Sequence, residues 1–300
     1  MKAHPESVKR FLLALKASGK SPSTIESYCR DAADFLLYLN DCAIRTDEVE
    51  PETLLAYQAQ LGSSERDNSV RRKIIGIRQF FRFLADEDRT YTSPLDHVPI
   101  PERDESLPEG LADEDIDEIL LILKAQPKGI KTQRDLAILH LLAFEGLKAT
   151  EVINLKWTHL FLGAERATMQ LHGNRSRTIE LSPTTFAALT AYRDAFTERA
   201  QGFSFEKESL FISFKGRDFA TILPKMSRHG LKFLVYELGH LAGIKHLNTE
   251  LLRHYAVQFQ LGLGKSPGDI MAHFGLRRLG NIGKHAQKWR RQEEQDNSKS

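Results

Sequence analysis

A chain of 300 residues is long enough for two ordinary domains with separate cores, since single cores stop growing near that length. Its 41% hydrophobic and 27% charged residues exclude a disordered chain, and 42 basic against 40 acidic residues (net charge +2) mean that any polyanion-binding surface must be local. Two cysteines, Cys29 and Cys42, exclude a disulfide framework or a thiolate zinc site and fit a reducing, cytoplasmic setting.

The N-terminal stretch "MKAHPESVKRFLLALKASGK" carries charges throughout and no long apolar run, so neither a signal peptide nor a membrane span is expected there. Phe11, Leu12 and Leu15, then Ile25, Phe35, Leu36 and Leu39, recur at helical spacing and predict two amphipathic helices. Gly19, Ser21 and Pro22 punctuate them, with Ser21 as cap and Pro22 as first-turn residue of the second. A third helix is expected over Pro51 to Leu61. A fourth, "NSVRRKIIGIRQFFRFLADE", sets Ile74, Ile77, Phe80, Phe81 and Leu84 on one face and Arg71, Arg72, Lys73, Arg78 and Arg82 around the rest. Residues 1–92 therefore read as a small helical domain.

Residues 93–110, with four prolines, five acidic residues and no apolar period, read as a linker. Helical patterns resume at "LADEDIDEILLILKAQ" and "TQRDLAILHLLAFEGLKATEVINLKW", with Asp113 and Thr132 as expected N-caps. Two alternating segments flank "HGNRSR" and predict a β-hairpin. Further helices are expected at Pro183 to Arg199, Leu223 to Ala242 and Thr249 to Leu261. "GLGKSPG" at 262–268 reads as a helix end and turn, because Phe259 stands where a phosphate-binding loop needs its first glycine. Residues 289–300 form a polar tail.

Taken in order, "RDLAILHLLAFEGLKATEVINLKW", "LHGNRSRTIELSP", "LFISFKGRDF", "AGIKHLNTELLRHYAVQF" and "IMAHFGLRRLGNIGKH" resemble the tyrosine recombinase (phage integrase) family, most closely its Xer-like members. The N-terminal "SGKSPSTIESYCRDAADFLLYL" is similar to that family's helical core-binding domain. The resemblance implies a mainly α fold with a small β-hairpin or sheet. A core-binding domain (1–92) and an α+β catalytic-type domain (111–288) would clamp opposite faces of double-stranded DNA. It also implies DNA contact by Arg71, Arg72, Lys73, Arg78, Arg82, Lys148, Arg175, Arg177 and Arg253, with Thr24, Tyr28 and Arg30 as weaker candidates.

The family's chemistry uses a tyrosine nucleophile, two arginines, a lysine and two histidines to cleave a phosphodiester. Its first arginine falls here on Lys148, followed at the usual place by Glu151. The hairpin lysine falls on His172, near Arg175 and Arg177. "HxxR" becomes "ELLR", with Glu250 in place of the histidine and Arg253 retained. The histidine of "LGH" falls on Leu276, and His285 stands nine residues on, at the nucleophile's position. Of the six positions, Arg253 alone is unchanged.

The resemblance thus implies a catalytically inactive, DNA-binding relative with an architectural or regulatory role, acting alone, with itself on DNA, or with an active recombinase. Alternatives are a strand-cleaving enzyme with a non-standard nucleophile and a protein-interaction scaffold that has lost DNA binding. Each residue also has a plainer use: the helix arginines as a solvated face, Arg253 as a structural ion-pair partner, His285 as an exposed polar residue. No metal or cofactor is expected, since neither HExxH nor cysteine pairs accompany His172, His254 and His273. Trp289 is the one apolar anchor in a charged C-terminal segment, and a monomer is expected in solution.

Overall fold

The computed structural model describes residues 6–62, 67–88, 92–102, 110–163, 166–173, 176–199, 209–215, 221–223 and 225–276. The chain divides into two compact units, Met1–Ser106 and Leu107–Ser300.

The first unit is helical: α1 (Glu6–Ala17), α2 (Pro22–Asp41), α3 (Pro51–Gly62) and α4 (Asp67–Glu87). The Ser21 side chain caps α2 by accepting from Thr24 N at 3.2 Å, and Pro22 opens the helix. Apolar residues at helical spacing then pack one core, in which Phe35, Ile74, Ile77, Phe80 and Phe81 are fully buried. Helices α2 and α4 meet closely because Gly76 offers no side chain where a Cβ would come within 3.0 Å of Asp31. Asp31 is buried and pairs with Arg72. Burial pushes its carboxyl above the usual range, against the pull of Arg72.

The expectation of a linker from residue 93 is corrected here. Leu95 and Val98 lie fully buried in the first unit's core. Arg71 donates to Pro101 O at 2.7 Å, Arg78 donates to Val98 O at 3.0 Å and to Asp96 O, and Arg82 Nε donates to Asp96 Oδ1 at 2.8 Å. Two apolar residues three apart are too few to register as a period, yet they bury the strap while α4's arginines satisfy its carbonyls. Residues 103–109 lie outside the described residues.

The second unit holds α5 (Asp113–Ala125), α6 (Ile130–Ala143), α7 (Ala149–Asn154), α8 (Pro183–Arg199), α9 (Arg228–Leu241), α10 (Thr249–Gly262) and α11 (Pro267–Phe274). Strands β1 (Leu160–Leu162), β2 (Ala167–Leu171) and β3 (Arg177–Glu180) form an antiparallel sheet in that order. The expected hairpin is β2–β3, with Met169 opposite Ile179. Strand β1 and a second pair, β4 (Ser213–Lys215) with β5 (Thr221–Leu223), are three residues each and too short to show alternation. Leu223 therefore belongs to a strand, and α9 begins at Arg228. Asp113 and Thr132 do not cap: Asp113 accepts from the Tyr255 hydroxyl at 2.7 Å, and Thr132 Oγ1 donates to Pro127 O at 2.8 Å. Helix α6 is buried nearly all round, Arg134 and Asp135 included, and forms the centre of this unit, packed by α8 and α10. The "GLGKSPG" phrase is the turn between α10 and α11, with Ser266 capping α11 and Pro267 at its first turn.

Truncating Leu95 to alanine should destabilise the full chain by about 2–5 kcal/mol in urea unfolding, as for a core residue. A change within about 0.5 kcal/mol would return residues 93–102 to the role of a free linker.

Candidate nucleic-acid interface

The site forms where four stretches of the second unit meet. Helix α6 ends at Ala143, and the chain turns through Gly146, whose φ of +61° favours glycine. A Cβ there would lie 2.0 Å from the Phe274 ring, so the turn and the end of α11 interlock. Lys148 follows at the N-cap of α7, its backbone N donating to Glu151 Oε2 at 2.8 Å. Arg177 reaches Glu151 from β3, Nη1 donating to Oε1 at 2.7 Å, while its Nε donates to His273 O at 2.6 Å. From α10, Arg253 donates through Nη2 to Phe274 O at 2.8 Å and through Nη1 to Gly146 O, and lies over the Phe274 ring at 5.3 Å.

The carbonyls at a helix C-terminus carry partial negative charge and lack intrahelical donors. Arg177 and Arg253 supply those donors to α11. Gly275 then closes the helix in the left-handed conformation, with its φ at +63° and a virtual Cβ 3.0 Å from Arg177.

Lys148, Arg177 and Arg253 thus gather around Glu151, with Glu250 contributing a second negative charge. Burial pushes the Lys148 amine down, Glu151 opposes this, and Arg253 and Arg177 add to it. Burial likewise lowers Arg253. Burial pushes Glu151 up, but Arg177 and the Lys148 amide outweigh it, and its carboxyl falls below the usual range. Arg177 and Glu151 are each 10% exposed in their side chains, so the exposed cation of the group is Lys148.

The remaining expected residues are distributed differently. Arg177, expected as a DNA contact beside the hairpin, is enclosed by Glu151 and the end of α11. On α4, Arg71, Arg72, Arg78 and Arg82 are engaged within the first unit, while the side chains of Arg72 and Arg82 remain 42% and 47% exposed. Lys73 is half-buried on the same helix. His172 is exposed, with its ring 4.5 Å from that of His159, whose Nδ1 accepts from Lys156 N. Leu276 packs beside Ala256, Val257, Ile270 and Phe274, contributing apolar contact where the family has a donor. Glu250 is exposed in the first turn of α10. Arg175 and His285 lie outside the described residues.

Two further groups escape a reading of periodicity. Tyr255, the last tyrosine of the sequence, is buried on α10. Burial first, then Asp113, push its phenol well above the usual range, which disfavours the phenolate. Glu145 is buried beside Ser182 and His273. Its charge within the apolar run "LLAFEGL" is the signal that a partner was required. Among the described residues no cluster of three His, Cys, Asp or Glu side chains is arranged to hold a metal ion, and no helix is long and apolar enough to cross a membrane.

Replacing Glu151 with alanine leaves Arg177 buried without its carboxylate, and urea unfolding should register a loss of about 3–5 kcal/mol. An unchanged midpoint would mean that this pair does not hold β3 to α7.

Residues 8–88 match the description "Phage integrase, N-terminal SAM-like domain", and residues 111–261 match "Phage integrase family". The chain is 27% identical over 276 residues to tyrosine recombinase XerD of Listeria innocua, covering 88% of this chain and 87% of the relative. It is also 27% identical over 284 residues to tyrosine recombinase XerC of Pelobacter propionicus, covering 90% and 88%. Among solved structures it resembles the XerH site-specific recombinase bound to difH substrate in a pre-cleavage complex (TM-score 0.71, 15% identity, 94% and 82% covered). The post-cleavage complex on palindromic difH gives a TM-score of 0.76 at 14% identity, covering 97% and 83%. Two matched domains in the family's order, with the mainly helical fold and small antiparallel sheet, place this chain in the phage integrase family as a Xer-like tyrosine recombinase relative.

Proposed function

We propose that this protein binds duplex DNA with the frame of a tyrosine recombinase and cleaves no strand, serving an architectural or regulatory role in the cytoplasm. The observation that carries this reading is the fate of the tyrosines. None follows Tyr255 in the sequence, and the Tyr255 hydroxyl is bound to Asp113. His285 occupies the nucleophile's place, Leu276 and Glu250 replace two histidines, and Lys148 lacks the two-pronged grip of an arginine.

Magnitudes support inactivity over slow catalysis. Losing a general acid lowers a rate roughly 10²- to 10⁴-fold, and losing an oriented donor about 10²- to 10³-fold. Several such losses together with a missing nucleophile leave no useful turnover. DNA binding depends on the cationic group around Lys148, and the XerH neighbours, described as bound to their difH substrate, support the same partner class. The protein would occupy or bend a site, alone, with a second copy, or beside an active recombinase.

A second reading, a protein-interaction scaffold without DNA, is favoured by the arginines already committed to internal acceptors. Fluorescence anisotropy with labelled duplexes separates the two. With about six phosphate contacts, affinity should fall roughly 10³-fold between about 50 and 200 mM salt. Lys148→Ala should weaken binding across sequences and lower the salt slope by about one. Salt-insensitive or absent binding would favour the scaffold. Incubation with a nicked suicide duplex followed by a denaturing gel should give no covalent adduct, and an adduct would overturn the inactive assignment.

A further inference from the structure

We infer that Glu145 and His273 act as a positioning pair for the cationic group, seating the end of α11 so that its carbonyls aim the guanidiniums of Arg177 and Arg253. This rests on the reading of that group as a phosphate-binding site.

Glu145 lies in the turn after α6 with 1% of its side chain exposed. Its Oε1 accepts from Ser182 N at 2.9 Å and Ser182 Oγ at 2.7 Å. Its Oε2 stands 3.2 Å from His273 Nε2. Burial pushes the Glu145 carboxyl up, but His273 and Ser182 outweigh it and hold it below the usual range. A buried carboxylate needs partners on both oxygens, and Ser182 and His273 supply them.

His273 also gives its backbone carbonyl to Arg177 Nε, and the adjacent Phe274 carbonyl accepts from Arg253 Nη2. One side-chain pair thus fixes the two carbonyls that orient both arginines. The charged groups facing it are few. His140 on α6 is pushed down by burial to about 4 and is neutral near pH 7. Arg177 and Arg253 are already engaged by Glu151 and backbone oxygens, and Ser182 and Thr185 contribute hydroxyls. The His273 ring joins α11 to Glu145.

The test uses the full chain and a labelled duplex, with anisotropy read at fixed pH and ionic strength. His273→Ala should bind about tenfold more weakly than wild type, the equivalent of one charge-assisted hydrogen bond, and His273→Gln, whose amide can still donate to Glu145, should recover most of that loss. Adding Glu145→Gln to His273→Ala should cost nothing further, because the two side chains act as one unit. Unchanged affinity in His273→Ala, or losses that add in the double variant, would overturn the inference. So would tighter binding in either single variant, because the carbonyls would then compete with phosphate for the arginines.

Should His273→Ala unfold, hydrogen exchange in His273→Gln and Glu145→Gln decides. The Gly275 and Leu276 amides, bonded to Ala272 O and Met271 O, should keep wild-type protection in His273→Gln and exchange about tenfold faster in Glu145→Gln. Wild-type protection in both variants would overturn the pairing. Wild type that binds no duplex would instead overturn the DNA-binding reading, and the exchange measurement would still decide the pair.

Discussion

Two guanidiniums enclosed at the end of a short helix set most of what the second unit can do. Arg177 and Arg253 cannot be buried without acceptors, and the chain provides them as Glu151, the Gly146 carbonyl and the last carbonyls of α11. Meeting that requirement draws the turn after α6, strand β3, α10 and α11 to one place. It also explains two glycines. Gly146 must leave room for Phe274, and Gly275 must turn left-handed against Arg177. The packing and the electrostatics of the site are one structure.

The same requirement limits its chemistry. Donors committed to buried protein acceptors are less available to an incoming phosphate, and exposure is concentrated at Lys148. Under the proposed reading, such a group holds a backbone, whereas stabilising a pentavalent intermediate needs several free donors aimed at developing charge. Tyr255 is held by Asp113 and Leu276 contributes packing, so both side chains are in structural use within the family's frame.

How much of this was legible in the sequence depended on the range of the interaction. Helices α2, α3, α4 and α8, the β2–β3 hairpin and the Ser21 cap follow from local period and punctuation, and all stand where spacing put them. Strands β1, β4 and β5 fell below the length at which alternation can be read. The arginines of α4 show a different limit. A charged helix face looks the same whether it meets water, DNA or a strap of carbonyls, and only the buried Leu95 and Val98 reveal the strap. In the candidate site, Lys148, Arg177 and Arg253 were named from family spacing. The Arg177–Glu151 pair joins residues 26 apart, and Arg253 reaches a carbonyl 107 residues away. Contacts of that kind leave no periodic trace. Glu145 left the one local clue, a charge set in an apolar run.

Lysine-selective acylation of the full chain, with and without saturating duplex and read by peptide mass spectrometry, addresses the central claim most directly. Protection of Lys148 by the duplex, with no peptide carrying nucleotide, is the predicted result. Unchanged labelling of Lys148 under saturation, or a peptide covalently joined to DNA, would contradict a frame that grips DNA without cutting it.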